Sequence, residues 1–96
     1  MSKLTRAQFF SQLAVASTEF RNKGNKSPSL PQMRQAFHDQ RATIAGDEVA
    51  IRLNNSDELQ TLCHEAVCAA TAAKPSLPGV LTAFEFAWEC YDKVTR

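Results

Sequence analysis

The stretch Arg41–Leu53, R-A-T-I-A-G-D-E-V-A-I-R-L, is the one place in the chain where apolar residues recur at every second position. On an extended backbone Val49, Ile51 and Leu53 point one way and Glu48, Ala50 and Arg52 the other, because strand side chains alternate faces. Gly46 and Asp47 divide this run from a shorter one, Ala42–Ala45, and glycine accepts the positive φ of a two-residue hairpin turn. The pattern predicts a β-hairpin over residues 42–53. Closing the turn with Ala45 opposite Glu48 sets Ile44 against Val49, Thr43 against Ala50, Ala42 against Ile51 and Arg41 against Arg52. Two strands alone are marginal in water, so helices have to cover the apolar face.

Both flanks are helical in pattern. Immediately upstream, Ser29 and Gln32 make a capping-box signature, Pro31 sits in the first turn where its missing amide costs little, and Leu30, Met33 and Phe37 mark an inner face ending near Gln40. Before the polar loop G-N-K-S-P (24–28), Thr5 and Gln8 repeat that signature, with Leu4 as a staple on Phe9. Phe9, Leu13, Ala16 and Phe20 then form a stripe, Phe10 and Val15 broaden it, and Gly24 stops a helix spanning residues 6–23.

Downstream of the central stretch, Asn55 or Ser56 can cap a third helix whose first turn holds Asp57 and Glu58, at the positive end of its dipole. Leu59, Leu62, Cys63, Ala66, Val67 and Ala70 give it an inner stripe, and Pro75 ends it. The last helix opens at Ser76 and runs to Val94. Val80, Leu81, Phe84, Trp88 and Tyr91 line one face, while Ala83, Phe86, Ala87 and Cys90 carry apolar character round most of the rest. A helix apolar over so much of its circumference belongs at the centre of a fold or against a second subunit. The expected architecture is α+β: two helices, a β-hairpin, two helices, with the C-terminal helix central to the core.

At 96 residues and 44% hydrophobic content the chain suits a single globular domain, 1–96. A formal charge of +1 speaks against a generic polyanion binder, yet residues 1–53 carry eight Lys/Arg to four Asp/Glu and residues 54–96 three to six. The front is basic and the back acidic. No apolar run approaches a membrane span, and M-S-K-L-T-R-A-Q lacks the apolar core of a secretory signal. Three cysteines without framework spacing point to reduced thiols and a cytoplasmic setting.

The hairpin register carries the sharpest functional inference. Arg41 and Arg52 would face each other on its outer side, which costs stability unless an anion lies between them, and Arg34, His38 and Arg41 fall at i, i+4, i+7. Together these four residues suggest a patch for a phosphate or an acidic protein face. The simpler reading is that Asp39 or Glu48 neutralises the arginines. On the last helix Glu85, Glu89 and Asp92 form an acidic ridge that invites a cationic partner, with a plain solvated face as the alternative.

Cys63, His64 and Cys68 are the nearest approach to a metal or nucleophile site, His64 and Cys68 sharing a helix face, but a zinc site needs about four ligands. No metal and no cofactor is expected. Phosphate-loop and hydrolase signatures are absent, and Val49–Leu53 alternates where the recognition helix of a helix-turn-helix over 37–55 would show a 3.6-residue period. The reading that remains is a small non-enzymatic binding module: a regulator, adaptor or inhibitor acting through protein–protein contacts. Hairpin edges and spare apolar surface are compatible with a homodimer. A nucleic-acid-binding regulator using the basic N-terminal half stands second, and a small metal-binding or enzymatic domain on Cys63, His64 and Cys68 third.

Overall fold

Thr43 stands in extended conformation, and its hydroxyl accepts the Gly46 amide at 3.0 Å, satisfying a donor that a helix start leaves free. From there the chain is helical. The computed structural model describes residues 3–96 and holds five helices: α1 Arg6–Asn22, α2 Leu30–Asp39, α3 Ile44–Asn55, α4 Asp57–Thr71 and α5 Leu77–Val94. Among the described residues there is no strand. The fold is all-α, which overturns the α+β expectation, and residues 44–53 lie in α3 where the hairpin was expected.

The physical reason is that the stretch satisfies a helix better than it satisfies a strand. Gly46, Val49, Ala50 and Leu53 are buried, an i, i+3, i+4, i+7 series whose two small members were hidden beneath the alternation of Val49, Ile51 and Leu53. Asp47 lies in the first turn, near the positive end of the dipole, and Glu48 pairs with Arg52 one turn on at 2.8 Å. Gly46 serves close packing rather than a turn. A Cβ there would stand 2.0 Å from the Gln40 carbonyl oxygen, so only glycine lets α3 start tight against the end of α2.

The other starts follow their side chains. Thr5 and Ser29 form complete capping boxes with Gln8 and Gln32, while Ser56 and Ser76 accept the amides of Leu59 and Gly79. Gly24, at φ 74°, closes α1 with the Asn25 amide on the Phe20 carbonyl at 2.9 Å, the hydrogen bond of a Schellman stop. Ser56 alone separates α3 from α4: extended at φ −146°, ψ 110°, it ends one helix and caps the next. Gln60 reaches back across the joint and donates to the Leu53 carbonyl at 2.6 Å.

The core joins Phe9 and Leu13 of α1, Met33 and Phe37 of α2, Val49 and Leu53 of α3, Leu59, Cys63 and Val67 of α4, and Tyr91 of α5. Tyr91 stacks on Phe9 with ring centroids 4.9 Å apart, and Trp88 leans on both. Both α1 and α4 touch every other helix, α4 the most extensively, and α5 packs mostly on α4. The small side chains of α4's second half explain this central place, which had been expected for the C-terminal helix. No helix of the described residues is long and apolar enough to cross a membrane.

Candidate functional site

A buried polar chain runs through the middle of the molecule. The Leu4 amide donates to the Tyr91 hydroxyl at 2.9 Å, the Tyr91 hydroxyl donates to Glu48 Oε1 at 3.1 Å, and Arg52 Nε donates to the same oxygen. The Glu48 side chain is 1% exposed, and its Oε2 has no protein partner among the described residues. Burial pushes the Tyr91 phenol up to about 12, and Glu48 beside it works in the same direction. The Glu48 hydrogen bond raises the Arg52 guanidinium. This chain anchors the segment before α1 to α3 and α5; Leu4, Tyr91 and Glu48 are buried, and Arg52 reaches in from the surface.

The register that would set Arg41 against Arg52 does not exist in a helix. Arg41 lies in the turn between α2 and α3 and pairs with Asp47 at 3.2 Å, while Arg52 is spent on Glu48. Arg34 reaches Gln60 at 3.4 Å, and His38 lies in the last turn of α2. The structure therefore gives Arg41 and Arg52 separate carboxylate partners, one of them the Glu48 named as the simpler alternative. On α5, Glu85 pairs with Arg6, and Asp92 with Lys3 and Arg96. Lys3 holds the Asp92 carboxyl below its usual range, with Arg96 assisting. Only Glu89 of that ridge has no cation within 4.0 Å among the described residues.

His64 and Cys68 do meet, with Nε2 and Sγ 3.4 Å apart, and both face the Pro28 carbonyl. Burial raises the Cys68 thiol, so the contact does not favour a thiolate, and it raises Cys63 and Cys90 likewise. Cys63 points into the core, away from the pair. Among the described residues no three His, Cys, Asp or Glu side chains are placed to hold a metal ion.

Between α1 and the first half of α5 lies an apolar groove of about 420 Å³. Phe10 and Phe84 meet edge to face on its floor at 5.4 Å, with Ala14 and Val80 beside them. Leu77 and Leu81 form its outer wall and are 69% and 48% exposed. Arg21 closes one end and donates to the Ala70 carbonyl, and Arg6 lies over the Phe10 ring at 4.3 Å. Reading the sequence for a single inner stripe missed this groove. Its signal was the apolar circumference of α5, wider than the faces of α1 and α4 can cover.

Two helices joined by a short turn, α2 and α3, also form the frame of a helix-turn-helix, so the periodicity set against that arrangement no longer opposes it. The chemistry of α3 is not basic, however: Asp47 and Glu48 balance Arg41 and Arg52. No protein-family model, curated protein or solved structure matches the chain.

Proposed function

We propose that the protein is a small non-enzymatic binding module, a regulator, adaptor or inhibitor acting through protein–protein contacts, and that the α1–α5 groove receives the apolar face of a partner helix. The observation that carries this reading is the exposure of Leu77 and Leu81 along a groove already floored by Phe10 and Phe84. Fully burying an exposed leucine is worth roughly 1.5–3 kcal/mol, and covering what remains exposed of Leu77 and Leu81 recovers about half of that for each. The opposite wall presents Ala7, Ser11 and Thr18, small side chains that let a third helix approach closely.

The test is partner recovery with Leu77→Asp/Leu81→Asp beside the wild type, both checked for equal helix content by circular dichroism. Loss of a stoichiometric partner from the double variant is expected. Equal recovery overturns the assignment of the groove, and recovery of nothing except a second copy replaces the heterologous partner by a homodimer. The second reading, a nucleic-acid-binding regulator, has the α2–turn–α3 frame in its favour. It requires binding that weakens steeply with salt and falls in Arg41→Ala, because phosphate contacts release counterions.

A further inference from the structure

Phe86 lies on the other edge of α5, away from the α1–α5 groove, and is 55% exposed. It lines two adjoining concavities between α4 and α5: one is shared with Glu65, Thr82 and Ala83, the other with Leu62 and Glu89. The rim of this face is acidic. Glu58 is matched by Lys93 at 3.3 Å, whereas Glu65 and Glu89 have no cation within 4.0 Å among the described residues. An exposed aromatic ring between unmatched carboxylates is costly to leave facing water and has a specific complement.

We infer that this face docks a cationic amphipathic helix of a partner protein, an apolar side chain of that helix seating against Phe86 and its Lys or Arg residues meeting Glu65 and Glu89. Phe86 shares one concavity with Glu65 and the adjoining one with Glu89, so a helix laid along the α4–α5 seam meets an unmatched carboxylate in each while its apolar side chain covers the ring. The same charge repels phosphate backbones and anionic lipid, which makes the occupant a protein segment. This surface is independent of the α1–α5 groove. With both occupied, the domain would hold two partners on opposite sides of one helix.

The probe is a labelled synthetic peptide of leucine and lysine arranged at helical spacing, with a counterpart in which glutamate replaces lysine, titrated into the full chain. The lysine peptide is expected to bind saturably, to weaken as salt rises, and to lose about thirtyfold in affinity with Phe86→Ala. Glu65→Gln/Glu89→Gln is expected to weaken it about fivefold, and the glutamate peptide to bind far more weakly. Leu77→Asp/Leu81→Asp is expected to leave this binding intact, which separates its failure from failure of the groove. Unchanged affinity in folded Phe86→Ala, unchanged affinity in the double glutamine variant, equal binding of both peptides, or loss in the Leu77/Leu81 variant would each overturn the proposal.

Discussion

One carboxylate oxygen shared by a phenol and a guanidinium makes Glu48 the knot between three separate parts of the chain. Removing Arg52 strands a buried negative charge, whereas Glu48→Gln keeps an acceptor for Tyr91 without the charge. Arg52→Ala is therefore expected to cost about 2 kcal/mol in urea unfolding, and Glu48→Gln less than that. The ordering of the two variants is the check. Tyr91→Phe removes the acceptor of the Leu4 amide and is expected to cost about 1–2 kcal/mol. The sign of its pH dependence follows from the raised phenol. Unfolded tyrosine ionises near pH 10 and Tyr91 only near 12, so the stability it contributes is complete below about pH 10 and lost as pH rises through about 12. Wild type should lose roughly 2 kcal/mol more than Tyr91→Phe across that window, the raised thiols adding a loss of the same sign to both, as read by chemical denaturation at stepped pH.

At the scale of the helix, Gly46 reverses a familiar rule. Glycine to alanine inside a helix ordinarily gains about 1 kcal/mol, but Gly46→Ala drives a methyl group into the Gln40 carbonyl. The expected result is a loss of about 2 kcal/mol or more, with a lower midpoint in thermal melting. This crowded junction also explains what could be read in advance. The capping boxes at Thr5 and Ser29, the stop at Gly24 and a helix start at Asn55 or Ser56, which falls at Ser56, were legible because each rests on neighbours within a few residues. In the middle stretch the glycine looked like a turn because its role, admitting a backbone from the preceding element, is visible only once the two helices meet. Thr43 and the Glu48–Arg52 pair were local helix signals present in the same residues, and the apparent period of two outweighed them.

Across the whole molecule, the acidic ridge shows the same boundary between local and distant information. Its spacing on α5 was plain, yet Arg6 and Lys3, which neutralise two of its members, come from the other end of the chain. The His64–Cys68 pair was legible as neighbours on one helix, and their shared Pro28 carbonyl was not. Burial orders the three thiols: Cys63 and Cys90 are enclosed and Cys68 is half-buried. A thiol reagent under native conditions is expected to modify Cys68 first, and all three together once the protein is unfolded, as followed by mass spectrometry.

The lone serine joining α3 to α4 has a larger consequence than its size suggests. Were Ser56 to adopt helical torsions, residues 44–71 would straighten into a rod of about 42 Å, longer than the 36 Å the whole protein measures along its greatest extent. The front three helices would then be carried off the back two. Their exposed apolar faces would be covered by trading halves with a neighbouring molecule, so a chain forced helical at residue 56 would have reason to intertwine in pairs.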